Sequence, residues 1–539
     1  MAVTQIFFLS LVGSYGLVHL RYLSAVVESP YLQYLILFPS LLVLQFAGYA
    51  FYHWMIYPHF VSPLRGLPEP KAPSWFNGHG AEVVKAPTGE PQQKWAREIP
   101  NDGLMLYKGI LNRERLMPTS AKVMAEILNS KSYTFIKPRH FQFALARLLG
   151  HGILMAEGDE HKRQRKILTP AFHPRHLRSL FPLFFSKSKE MVDLISQEIR
   201  NADVEDPIID FNAWGSRCTL DIIGKAGAGI DFNAMVDPSN EMLQTYRKVF
   251  SPTPNQQIMG IMNIILPLFV MRNIPLQAVR DIDAAREVIM TICLDMIATK
   301  RQQIAEKREM NPDILSIMME EGSFTDDEMK NQLMTFMAAG HETTAAAVSW
   351  AIYELARNPE VAEKLRTAIR AAAPSMDSES ITMETIEGVR YLRNFCNEIL
   401  RFHAPVPVTF REAAKDETLN GQFVPKSTTI IIVTDVMNKS EELWGDDAKV
   451  FNPDRWDKPG GTGGAASNYA NMTFLMGTRS CIGQKFSQEE YKAIIFCLAG
   501  RFAFEEKEKD MEIHTRGGIT QRPTHDGGLP MKTRIVPGW

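Results

Sequence analysis

Residues 474–483 read FLMGTRSCIG. Glycines at 477 and 483 bracket one cysteine, Cys481; Arg479 stands two residues before it, and a helix-like segment begins just after. Backbone N–H groups and the positive end of a helix stabilise a thiolate placed immediately ahead of it. Gly483 lets the backbone approach a flat group closely. A glycine-flanked cysteine is by itself most often structural, whereas the full spacing F-x-x-G-x-R-x-C-x-G is far more specific. The other cysteines, Cys218, Cys293, Cys396 and Cys497, lie scattered without close pairs. That suits neither a disulfide framework nor a zinc site, and reads as buried small hydrophobes in a reducing compartment.

Helical periodicity marks residues 116–129, 160–168, 178–200, 239–250, 276–308, 326–357, 359–372 and 484–500. Strand signals are fewer and late. Thr418–Leu419, the turn pair Asn420–Gly421 and the β-branched run Thr428–Thr434 predict a hairpin. The segment 325–357 stands out. Thr325 with Glu328 makes a capping box, Asp326 and Asp327 suit the positive helix end, and Pro359 halts the run. About 33 residues at ~1.5 Å each span on the order of 50 Å, enough to cross a domain. Within it, Ala338-Ala339-Gly340 thins one face, and Glu342-Thr343-Thr344 puts a charge and hydroxyls mid-helix.

Position by position, FLMGTRSCIG resembles the haem-binding signature of cytochromes P450, and the resemblance extends over roughly residues 60–537 with further motifs in the family order. It implies a mainly α fold with a small β region and a long central distal helix. It also implies a haem b cofactor (iron protoporphyrin IX) that activates O2, with Cys481 as the iron's thiolate ligand and Phe474, Gly477, Arg479 and Gly483 framing it. EILR places Glu398 and Arg401 on one helical face, and FNPDRW supplies Arg455; in the family these form a structural lock that serves folding, not turnover. Arg411, in PVPVTFREA, sits where the family pairs a haem propionate, a task suited to the planar guanidinium fork. The family's W-x-x-x-R becomes His161 and Arg165, with histidine still able to donate a hydrogen bond. Glu342 and Thr343 occupy the acid–alcohol positions. Splitting bound O2 takes two protons, which an acid and a hydroxyl can relay, while the thiolate donates electron density from the opposite side. Gly340 with Ala339 leaves room over the iron. Family members that only isomerise peroxides often lack the acid–alcohol pair. Its presence points to a monooxygenase rather than an isomerase, a dehydratase or a non-enzymatic haem binder.

The N-terminus is membrane-like. No charged side chain precedes Arg21, residues 6–20 are largely apolar, and none occurs between Ser29 and Leu64. Residues 32–57 form a strong transmembrane candidate with an aromatic belt of Tyr52, Trp54 and Tyr57; the shorter first segment reads as a second span, a re-entrant piece or a signal-like region. The expected organisation is an anchor at 1–60, a proline-rich hinge at 61–75 and a catalytic domain at 76–539. Arg65 and Lys71 favour a cytosolic body on the endoplasmic reticulum membrane. Lys+Arg 59 against Asp+Glu 61 gives a net charge of −2, with no field suited to nucleic acid.

No dinucleotide fingerprint or flavin domain is present, so the resemblance implies electrons from NADPH through NADPH–cytochrome P450 reductase, with cytochrome b5 as a second donor. Lys162, Arg163, Lys166, Lys485 and Lys492 are candidates for its docking patch. Phe141 and Phe143, in a loop before the early basic helix, are substrate candidates together with Phe336, Met337, Val406–Phe410 (Val408 among them), Ile519 and Thr520. They are mostly apolar and suit a lipophilic small molecule. The layout resembles fungal microsomal members. Hydroxylation or epoxidation in secondary metabolism is the favoured expectation; fatty-acid, sterol or xenobiotic hydroxylation is the alternative.

Overall fold

The computed structural model describes residues 2–20, 22, 27–250, 254–265, 271, 276–306, 313–378, 380–516 and 518–539. The end of the helix expected over 276–308 lies outside them; Gln277–Ala305 is helical.

Two apolar helices, Ala2–His19 and Pro30–Phe51, pack side by side at the N-terminus. Phe7 meets Phe38 edge-on at 5.3 Å, and the absence of a Cβ at Gly13 lets Leu41 approach. Pro39 does not break the second helix. At Pro58, which has no N–H for the Trp54 carbonyl, the turn widens into a π-helix, Tyr52–Val61. The Asn112 side chain donates to that carbonyl at 3.0 Å and to the Trp75 carbonyl at 2.7 Å. Pro30–Val61 is the one described helix long and apolar enough to cross a membrane, consistent with an anchor. The stretch after it lies along the first strand: Leu106 N–H donates to the Pro68 carbonyl, and Lys108 pairs with Glu69 at 2.6 Å.

Helix Asp326–Arg357 runs through the core of the body, with its capping box formed. Its side chains are buried on nearly every face, as for a helix enclosed by others. Phe211–Ala228, Gln484–Arg501 and Gln277–Ala305 pack directly against it, and Pro174–Arg200 packs on the first two of these.

A five-stranded sheet lies to one side, in the spatial order Leu104–Lys108, Glu114–Pro118, Thr429–Val433, Val408–Ala413, Phe135–Ile136. Three expectations are corrected here. The Asn420–Gly421 turn closes a hairpin between Glu417–Leu419 and Gln422–Val424, because a two-residue turn with positive φ (50° and 79°) pairs the runs adjoining it. The β-branched run instead becomes a fully buried central strand with neighbours on both edges. Residues 114–118 are a strand, and the helix starts at Ala121, where Ser120 accepts the Val123 N–H. Finally, Phe141 and Phe143 lie on a helix, Arg139–Leu149, that follows Pro138.

Candidate active site

The cysteine loop is held by its backbone. Gly477 has φ +75°, and a Cβ there would fall on the Leu128 carbonyl oxygen, so glycine alone fits. The Cys481 N–H donates to the Phe474 carbonyl at 2.9 Å, closing the loop, and helix Gln484–Arg501 begins three residues on. Phe474 packs on the main core. Of the five cysteines, four are buried, and Cys481 is accessible to solvent although its surroundings are as dense as the core. A side chain with both properties borders a gap in the packing, the candidate cofactor cleft. Burial raises the Cys481 thiol above its ordinary value; the Gly483 N–H and the Arg165 charge act in the opposite sense.

Beside the loop, cations crowd together. Arg479 is buried, pairs with Glu157, donates to the Ala156 carbonyl at 3.1 Å and keeps an unpartnered Nε. Arg165 donates 2.8 Å to the Ser480 carbonyl. His161 is buried with Nδ1 3.1 Å from the Tyr133 hydroxyl; burial and its cationic neighbours push it down to about 4. Arg411, buried, reaches only the Phe410 carbonyl and the Thr409 hydroxyl, and burial lowers it to about 10. Lys137, which the sequence did not single out, is buried and lowered to about 7 by burial and by Arg411 and Arg479. Among the described residues, Glu157 is the acid beside them, pairing with Arg479 and accepting the Lys137 backbone N–H at 3.0 Å. Buried positive charge in such excess calls for anionic groups.

The lock is complete. Arg401 forks onto Glu398 through Nε (2.9 Å) and Nη2 (2.7 Å), and Arg455 Nε reaches it at 3.2 Å. Trp456 Nε1 and the Asn452 N–H add two more donors.

On the long helix, Ala339 is exposed and Gly340 and Thr343 are half-buried, between neighbours that are fully buried. Ala339 and Thr343, four residues apart, share one face and turn to open space. Thr343 donates to the Ala339 carbonyl at 2.9 Å. Gly340 is small for a different reason than expected: a Cβ there would meet Ile223 at 2.8 Å, so it serves helix packing. Glu342 is buried and faces the C-terminal segment, where Thr520 donates to it at 3.0 Å and Arg522 pairs with it.

The substrate candidates separate. Phe141 and Phe410 meet at 5.4 Å, with Val408 half-buried on the same strand. Phe143 lies under the Arg147 guanidinium at 5.9 Å. Phe336 is buried against Phe172 at 5.7 Å, and Phe172 also approaches Gly483. Met337 points away from the Ala339 stripe, since two residues are about 200° apart on a helix; it packs on Gly227. Ile519 is half-buried, while Thr520 is occupied by Glu342.

The family model of cytochrome P450 matches residues 68–526. A protein named cytochrome P450 monooxygenase sphH, from Aspergillus fumigatus, is 42% identical over 500 residues, covering 90% of this chain and 91% of its own length. Cytochrome P450 monooxygenase FUM15 of Gibberella moniliformis is 35% identical, covering 89% and 90%. Cytochrome P450 monooxygenase ALT8 of Alternaria alternata is 33% identical, covering 90% and 93%. The chain belongs to the cytochrome P450 family and is a haem-thiolate monooxygenase. Membership implies haem, O2, a redox partner and a lipophilic substrate. The donors fit that cofactor: one accessible thiol in the interior, and a cluster of buried cations suited to two carboxylates.

Proposed function

We propose that Cys481 ligates the haem iron and that Lys137, His161, Arg411 and Arg479 hold the propionates. The carrying observation is that Cys481, of the five cysteines, is the one accessible to solvent, in surroundings as dense as the core. Arg165 steadies the loop through Ser480, and Glu398, Arg401 and Arg455 brace the fold behind it. Bound haem supplies O2 activation and electron transfer. Thr343 presents a hydroxyl to the cleft, and Glu342 is the acid one residue away. Val408, Phe410, Phe141 and Ile519 would guide a lipophilic substrate, in keeping with hydroxylation or epoxidation in fungal secondary metabolism.

Electrons would come from NADPH through NADPH–cytochrome P450 reductase, with cytochrome b5 as a second donor. The docking patch is narrower than five cations. Lys162 pairs with Asp159, Arg163 with Glu160 and Glu328, and Lys492 with Glu489. Lys166 and Lys485 remain exposed. Lys485 lines a surface cavity of about 390 Å³ together with Arg393, and the other charged side chains there include Lys492, Glu387 and Glu489, which pair with one another, and Arg178, which pairs with Glu384. Pro30–Val61 would anchor the chain in the endoplasmic reticulum membrane with its body in the cytosol.

A carbon monoxide difference spectrum and NADPH- and reductase-dependent turnover test this reading. Cys481→Ser should lose the thiolate band and the turnover together; a variant that keeps both overturns it.

A further inference from the structure

Glu342 is turned out of the stripe that Ala339 and Thr343 present to the cleft, being rotated about 100° from Thr343 around the helix. What meets it there is the C-terminal segment. Thr520 Oγ1 donates to Oε1 at 3.0 Å, the Arg522 guanidinium pairs with the same oxygen, and His341 Nε2 lies 3.6 Å from Oε2. Arg522 also donates to Ser216 Oγ on the neighbouring helix at 3.2 Å. Between Thr520 and Arg522, the Gln521 N–H donates to the Pro405 carbonyl at 2.8 Å and its own carbonyl receives Trp350 Nε1 at 3.1 Å. The Tyr246 and Phe250 rings close the far side of His341 at 4.8 and 6.1 Å. Among the described residues, the charged or titratable groups facing Glu342 are therefore Arg522 and His341.

Burial alone would raise the Glu342 carboxyl, but the Arg522 charge, the nearby His341 (itself lowered by burial) and the Thr520 and Arg522 hydrogen bonds more than reverse this. A carboxylate so held only accepts hydrogen bonds. It must leave Arg522 before it can take a proton from water and hand it on, ending as the carboxylate it began as.

We propose that Arg522 is a positioning residue for proton delivery: it holds Glu342 against the C-terminal segment and so sets when that acid can serve the cleft. This rests on the monooxygenase reading. It places control of the acid on a residue 180 positions away in sequence.

The test uses full-length holoenzyme carrying Arg522→Ala, Arg522→Lys, Thr520→Val or Arg522→Ala/Glu342→Gln. Infrared spectra over a pH series read protonated carboxyl groups directly. At pH 7 the Arg522→Ala variant should gain one carboxylic acid band that is missing from wild type, from Arg522→Lys and from the double variant. Thr520→Val should move the same titration upward by a smaller step. In parallel, substrate-free peroxide release with NADPH and the reductase should rise about tenfold in Arg522→Ala, a share of the ~100-fold or more typical of positioned proton transfer. Arg522→Lys should stay within about twofold. Should Arg522→Ala fold poorly, Thr520→Val decides alone. Unchanged titration and unchanged peroxide release in these variants reduce Arg522 to a packing contact and overturn the proposal. Failure of the monooxygenase reading shows separately, as a wild-type carbon monoxide spectrum without the thiolate band.

Discussion

Glu398→Gln keeps the volume of the side chain and removes one charge, so its cost isolates the electrostatics of the lock. The carboxylate accepts five hydrogen bonds, two from Arg401 and one each from Arg455, Trp456 and the Asn452 N–H. An amide has one accepting oxygen, so either orientation aims its NH2 at an Arg401 donor and at least one other donor. Arg455 keeps Asp447 at 3.0 Å. Arg401, fully buried, keeps only the Asn438, Ala448 and Val450 carbonyls. Two lost charge-assisted bonds at ~1.5–3 kcal/mol each give about 3–6 kcal/mol, and breaking a buried pair typically costs ~3–5 kcal/mol. The expected loss is thus about 4 kcal/mol. With an unfolding entropy of ~2.1 cal/mol/K per residue, a body of roughly 460 residues shifts only about 1 °C per kcal/mol. Guanidinium unfolding, followed by tryptophan fluorescence, is therefore the sharper assay. In Glu398→Leu/Arg401→Met the Arg401 guanidinium is gone and Arg455, though it loses Glu398, retains Asp447, so the double variant should be more stable than the sum of the single losses implies. A Glu398→Gln loss below about 1 kcal/mol would refute this account of the lock.

Four further outcomes are expected. Gly477→Ala, strained at φ +75° and driven onto Leu128, should lose about 2–5 kcal/mol and much of its haem, read as haem per chain. Gly483→Ala meets only Phe172 at 3.8 Å and Cys481 at 4.0 Å, so it should unfold like wild type yet take up haem poorly; normal uptake would remove Gly483 from the haem contacts. In haem-free chain, Lys137 titrates near 7 when folded against 10.5 ordinarily. The unfolded state then binds more protons between those values, so stability rises with pH across that window and the penalty is fully present below about 7. Lys137→Met should flatten that slope and release haem faster to a scavenger; an unaltered slope removes Lys137 from the cluster. Charge reversal at the exposed pair, Lys166→Glu/Lys485→Glu, should raise the KM for reductase, most at low salt, while leaving the carbon monoxide spectrum intact. An unchanged KM would place docking elsewhere.

Local sequence carried most of the helical skeleton. Asp326–Arg357 appears where its capping box and Pro359 place it, because a helix is specified by contacts within a few residues of one another. The same locality set the Cys481 loop, whose glycines and following helix are consecutive. Non-local pairing was not legible in this way. The run at Thr429–Val433 takes partners from residues 115–116 and 408–412, and no pattern within the strand names them. Lys137, His161, Arg411 and Arg479 come from distant elements, and the excess of buried charge on the lysine and the two arginines exists only once the chain is packed. Sequence alone named Cys481, Glu342, Thr343, His161, Arg411 and Arg479 as candidates for the chemistry, and passed over Lys137 and Arg522. Tertiary structure decided where they face: Gly340 onto Ile223, Met337 onto Gly227, Glu342 onto Arg522. The reason is that helical spacing fixes the angle between side chains, while the neighbours that meet each face are supplied by the rest of the fold.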